Sequence, residues 1–156
     1  MSETNEQETP QTPLDKITEF IAGFPQYSRL ARFHVDFTDK VPFNAGAFPD
    51  GLVEISRTRD IVGNVTCVNQ LNFAIYAVFP KPVADDTTGA ENADWVADFQ
   101  AWVQEQSARG LAPTFGDVAR AESIRAQNGM LYSADEEETA LYMVQLSVTY
   151  TKKYRR

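Results

Sequence analysis

Asn92-Ala93-Asp94-Trp95-Val96-Ala97-Asp98-Phe99-Gln100-Ala101-Trp102-Val103-Gln104-Glu105-Gln106-Ser107-Ala108-Arg109-Gly110 is the stretch whose reading decides the fold. Trp95, Phe99, Trp102, Val103 and Gln106 recur at the spacing of one helix face. Asp98, Gln100, Gln104 and Glu105 fall on the other side. Asn92 is placed to cap the first turn, with Asp94 near the positive end of the helix dipole. Gly110 suits the left-handed residue that ends a helix, and Pro113 blocks a restart. Burial of Trp95, Phe99, Trp102 and Val103 sets an upper bound of roughly 6–12 kcal/mol before entropy is charged. So wide an apolar stripe calls for a flat apolar partner, which makes this a core helix on a sheet.

The rest of the chain supplies strands. From Val65 to Phe79 the odd positions (Val65, Cys67, Asn69, Leu71, Phe73, Ile75, Ala77, Phe79) are nearly all apolar and the even ones mixed, as expected of an inner strand with one covered face. Pro80 and Pro82 end it. Thr139 to Tyr150 alternates most cleanly, with Ala140, Tyr142, Val144, Leu146, Val148 and Tyr150 on one face. Arg32 to Asp39 alternates as a half-buried strand, and Leu52 to Ser56 reads as a short one. A turn-rich connection runs from Pro42 to Gly51. Asn128-Gly129 lies between two strand-like runs, Arg120 to Gln127 and Met130 to Ser133. Such a pair predicts a hairpin turn, because both turn residues need positive φ. A further turn is expected at Asp135-Glu136-Glu137-Glu138, and a polar loop at Asp85 to Ala90. Pro13 fits the first turn of a short helix through Gly23, with Leu14, Ile17, Phe20 and Ile21 on one face.

The fold class expected from this order is α+β: a mainly antiparallel twisted sheet with two helices packed on one face. Residues 1–12, with Glu3, Glu6 and Glu8 among polar residues, read as a disordered acidic leader. Residues 13–151 form a single α+β domain, and residues 152–156 a basic tail.

Composition narrows the functions. A hydrophobic content of 43% with 12% aromatics is that of a globular chain. A net charge of -8 argues against a general duplex DNA binder, which needs a positive footprint. An acidic wall suits a conduit that repels DNA instead of holding it. With Cys67 alone there is no internal disulfide framework. Neither a signal peptide nor an apolar run of membrane-spanning length is apparent, so a soluble protein made in a reducing cytoplasm is expected.

Catalysis finds no footing. His34, the single histidine, falls on the polar side of its strand beside Asp36 and reads as a solvated residue, not a catalytic base. No Gly-x-Ser-x-Gly surrounds any serine. Cys67 faces the presumed core, where a thiol is an inert small hydrophobe. Zinc would need more Cys and His than exist. There is no phosphate-cradling glycine loop. The carboxylates of Asp135 to Glu138 lack the spacing and glycine of a calcium loop and read as a solvated turn. Lys152-Lys153-Tyr154-Arg155-Arg156 reads as a solvated tail or a subunit contact before a nucleic-acid site. The expectation is therefore no catalytic residue, no cofactor and no metal.

One resemblance adds to this. Gly63-Asn64 before a long strand, Phe99-x-x-Trp102 with Glu105-Gln106 and Gly110-Leu111, Gly129-x-Leu131-Tyr132, and Asp135 ahead of Thr139-Ala140-x-Tyr142-x-x-Gln145 together resemble the tail-terminator or minor capsid (head-tail joining) proteins of tailed bacteriophages. The likeness covers Pro13 to Tyr150. It implies a non-enzymatic ring, usually hexameric, that caps the tail tube and docks on the head connector or stopper. The implied partners are sister subunits, the tail-tube protein and the connector, with genome DNA passing through without sequence-specific binding and no membrane. The implied location is the virion, after assembly in the bacterial host cytoplasm. A head-completion or capsid accessory protein is the alternative, and a small-molecule-modifying enzyme a distant one.

Overall fold

In a computed structural model of the chain, residues 12–27, 30, 32–35, 44–80, 86–117, 122–134 and 139–156 are described. The order of elements is α1 (Pro13–Ala22), β1 (Arg32–Val35), β2 (Asn44–Arg59), β3 (Val65–Pro80), α2 (Asp86–Ala108), β4 (Ser123–Ala134) and β5 (Thr139–Tyr154). The strands form one sheet in the order β1-β2-β3-β5-β4. All neighbours are antiparallel except β1 and β2, which run parallel. The α+β architecture with helices on a sheet is the one expected.

The two most regular alternations in the sequence make the centre of that sheet. β3 and β5 pair without interruption from Val65↔Tyr154 to Pro80↔Thr139. Phe73, Ile75, Ala77 and Phe79 of β3 and Ala140, Val144, Leu146 and Val148 of β5 send one face into a core shared with Ile17 and Ile21 of α1 and Trp95, Phe99 and Val103 of α2. The intervening β5 side chains, from Leu141 to Thr149, are half-buried on the opposite face.

Aromatic rings join the layers. Phe24, just past α1, meets Trp95 and Phe99 edge-on at 5.6 and 5.4 Å, and Phe79 reaches Trp95 at 5.3 Å. Such edge-to-face pairs add about 0.5–1.5 kcal/mol each beyond the area they bury. α1 begins as Pro13 predicts. Thr12 accepts from the Asp15 amide and the Asp15 carboxylate accepts from the Thr12 amide, so Thr12 is the cap of α1 and not the end of a leader. α2 ends as Gly110 predicts: at φ +73 it donates to the Ser107 carbonyl, while Leu111 donates to that of Gln106.

Several local expectations are corrected. α2 starts at Asp86, so the polar loop expected at 85–90 is helical from that residue on. Asn92 therefore sits inside the helix and caps nothing. It is fully buried, and its side-chain amide donates to the Pro80 carbonyl at 3.1 Å, tying α2 to the end of β3. The connection expected from Pro42 to Gly51 is, from Asn44 on, the first half of a 16-residue strand with a register shift between Pro49 and Leu52. Proline is tolerated on such an edge strand or at a bulge.

Asn128-Gly129 turns no hairpin. β4 runs straight through it against β5, with a register shift between Gln127 and Met130. Asn128 has φ +57 and its amide donates to Gln145 Oε1 at 3.0 Å. The pair makes a bulge, a use of positive φ that sequence alone does not distinguish from a tight turn. Gly129 is fixed by a different need. A Cβ there would stand 2.5 Å from both Val96 Cγ1 and Gln100 Oε1, so its missing side chain is what lets α2 settle on β4.

Lys152 to Tyr154, expected in a basic tail, continue β5 beside Val65 to Cys67. The turn expected at 135–138, residues 120–121 of the 120–127 run, residues 36–39 of the strand expected at 32–39 and most of the acidic leader fall outside the described residues.

Candidate functional site

The helices roof only one end of the sheet. β3 residues from Leu71 to Phe79 pack into the core, whereas Val65, Cys67 and Asn69 lie outside it. β2 residues 50–59 are exposed throughout. The register puts Leu52, Glu54, Arg57 and Arg59 opposite Leu71, Asn69, Cys67 and Val65, and Lys152 and Tyr154 opposite Cys67 and Val65 on the other side. These residues share the helix-side face, where side chains alternate. They make an open shelf of about 510 Å³ between Leu52, Glu54, Arg57, Cys67, Asn69 and Tyr154.

The shelf mixes apolar residues with paired charges. Leu52 is 58% exposed and Tyr154 54%, and the hairpin beside them also shows Val53, Ile55, Ile61 and Val62 to solvent. Leu52 stands on the helix-side face and Val53, opposite Gln70, on the other, so apolar surface is exposed on both sides of the hairpin. Its backbone is open as well. β1 pairs with Asn44 to Ala47 only, so among the described residues β2 from Phe48 to Arg59 is an edge with no strand outside it. Unpaired edges of this length are templates for pairing with another chain.

Polar contacts link the side chains of the shelf. Arg57 Nε donates to Glu54 Oε1 at 2.8 Å, and Cys67 Sγ donates to the same oxygen at 3.3 Å. The hydrogen bond from Arg57 lowers the Glu54 carboxyl below its ordinary range. Burial first, then the Glu54 carboxylate, push the Cys67 thiol up. A raised thiol is a poor nucleophile. Cys67 is buried as expected, but against a carboxylate at the rim of the core and not within the core itself.

At the hairpin tip Asp60 accepts from the amides of Val62 and Asn64 and from the Asn64 side chain, at 2.9–3.0 Å. Burial alone would raise the Asp60 carboxyl, but these bonds outweigh it and hold the pKa low. Asn64 Oδ1 in turn accepts from the Arg156 amide at 3.0 Å, fastening the end of the chain to the tip.

A strap after α2 closes the inner border. The amides of Phe115 and Gly116 donate to the buried Glu122 carboxylate at 2.9 and 2.8 Å, and the Asp117 amide donates to the Thr151 carbonyl at 2.8 Å. The Lys153 amide donates back to Asp117 Oδ2 at 2.6 Å. Lys16 of α1 reaches the strap through the Thr114 carbonyl.

Of the residues weighed for chemistry, His34 and Cys67 lie on separate strands far apart in register, and 135–138 fall outside the described residues. His34 lies on β1 at the register position of Gly46, and Asp36 lies outside the described residues. Among the described residues no three His, Cys, Asp or Glu side chains cluster as metal ligands, and no helix is long and apolar enough to cross a membrane. Sequence reading misses the shelf, although Leu52, Val53 and Ile55 are visible as a strand with apolar residues on both faces. In the fold both faces of that stretch are open to solvent. No protein-family model and no curated protein matches this chain.

Proposed function

We propose that this protein is a non-enzymatic structural subunit of a tailed bacteriophage: a tail terminator whose ring, of six copies by the phage likeness, caps the tail tube and joins it to the head connector. The observation that carries the reading is the unroofed half of the sheet, with an open β2 edge and the exposed Leu52, Val53, Ile55, Ile61 and Val62 beside it. Sheet edges and apolar shelves of this kind are what subunits in a cyclic, heterologous assembly cover for one another. The acidic balance of the chain suits a wall along which DNA passes.

Deleting the gene from its phage and imaging the particles tests the reading. Overlong tubes unattached to heads are expected. Tails of normal length joined to heads would refute it, and DNA-leaking heads beside free tails of normal length would assign the protein to head completion.

A further inference from the structure

The shelf has a complement on the same molecule. Asp94, Asp98, Ala101, Glu105 and Ala108 succeed one another at intervals of four, three, four and three residues along the outside of α2. That spacing draws one straight line on a helix, opposite the buried Trp95, Phe99 and Val103. All five are exposed, so the line is an acidic ridge with only alanines between its carboxylates. Asp98 is held by Gln26 at 2.8 Å and Glu105 by Arg109. The shelf carries a small excess of the opposite charge, centred on Arg59. Arg57, Arg59 and Lys152 stand there against Glu54, which Arg57 already occupies, and Asp117, which lies 3.7 Å from Lys152.

Lengths agree too. Leu52 to Arg59 spans about 23 Å of strand, and Asp94 to Ala108 about 21 Å of helix. An acidic ridge with small residues lets a helix axis come close to a sheet while its carboxylates reach cations at the border.

We propose that the shelf of one copy receives the outer ridge of α2 from a second copy, extending the helix layer across the bare half of the sheet. The inference rests on the assembly reading and names its contact. The two surfaces differ, so the contact is head-to-tail and leaves a shelf and a ridge free at each end for the next copy. Leu52 at one end of the shelf, Tyr154 at the other and the Glu54 carboxylate between them favour a protein partner over a nucleic-acid backbone, which would call for a continuous positive track.

Charge reversal tests this. Sedimentation equilibrium is run over a range of concentrations at low and high salt on the whole chain, on Arg59→Glu/Lys152→Glu, on Asp94→Lys/Glu105→Lys, and on the chain carrying all four changes. Arg59, Asp94 and Glu105 are exposed and Lys152 is half-buried beside Asp117, and circular dichroism verifies that each variant is folded. The natural chain should associate at low salt and loosen as salt rises. Each double reversal should weaken association about tenfold or more, because like charges then face each other. The fourfold variant should recover it.

A natural chain that stays monomeric at every concentration and salt would overturn the proposal, and so would a double reversal that associates like the natural chain. Loss of association on deleting residues 1–11, with the α2 variant unaffected, would give the shelf to the acidic leader instead. Capture of a short DNA duplex by the natural chain but not by the shelf variant, with self-association unchanged in both, would give it to nucleic acid. None of these outcomes bears on the particle phenotype of the gene deletion, so the contact and the function fail separately.

Discussion

Replacing Gly129 by alanine tests the reading of β4 as one bulged strand beneath α2. The new methyl would sit 2.5 Å from Val96 Cγ1 and 2.5 Å from Gln100 Oε1. Gln100 is the end of a flexible, half-buried side chain and can swing away, at the loss of its 3.4 Å bond to the Ala126 carbonyl. Val96 is buried and β-branched, so it yields only if the helix moves. Overpacking of this sort costs about 1–3 kcal/mol. Val96→Ala alone removes two buried methyl-sized groups at about 0.8 kcal/mol each, or about 2 kcal/mol with its cavity. Independent changes would together cost about 3–5 kcal/mol. Because the valine methyl is what the alanine strikes, the double variant should lose only about 2 kcal/mol, a coupling of about 1 kcal/mol or more. Urea unfolding monitored by far-ultraviolet circular dichroism measures all three at constant m-value. Additivity within about 0.5 kcal/mol, or a neutral Gly129→Ala, would refute the close approach of α2.

The packing and the strap yield two more expected outcomes. Phe99→Ala removes a fully buried ring that touches Phe24 at 5.4 Å and stacks on Trp95 at 5.8 Å, and should cost about 3–5 kcal/mol in the same urea experiment. Asp117 has its carboxyl held low by the Lys153 amide, partly opposed by burial and helped by Lys152. Its folded pKa lies below the unfolded value of about 3.9, so its contribution is complete above that pH and is lost as pH falls through the folded value. Asp117→Asn should therefore flatten that part of an acid-unfolding profile and leave neutral-pH unfolding less cooperative at the strap, as read by amide exchange at Lys153.

Legibility in the sequence tracks how local each cause is. β3 and β5 are readable because their alternation is set by a single covered face. The apolar side of α2 is readable because its rings repeat at the helical period. The first turns of α2 are not, since Asp86-Thr87-Thr88-Gly89-Ala90-Glu91 carries no apolar stripe and is helical only as an extension of the amphipathic turns from Asn92 onward. Asn92 resembles a cap for the same reason, although its partner is a carbonyl twelve residues back. Asn128-Gly129 and Pro49-Asp50-Gly51 are turn chemistry by any local measure. What makes them bulges is a neighbouring strand, β5 or β3, that the local sequence does not mention. The shelf is the least legible feature, because an unroofed face is defined by where the helices stop.

Both tryptophans lie in the ring cluster where α1 meets α2, with the Trp95 and Phe99 rings nearly parallel. Tryptophan emission from this protein therefore watches a single place, at the far end of the sheet from the hairpin. A partner could seat on the hairpin and leave that signal unchanged. An unaltered spectrum in a titration is silent about the basic end of the molecule, and a reporter group near Ile61 would be needed to see it.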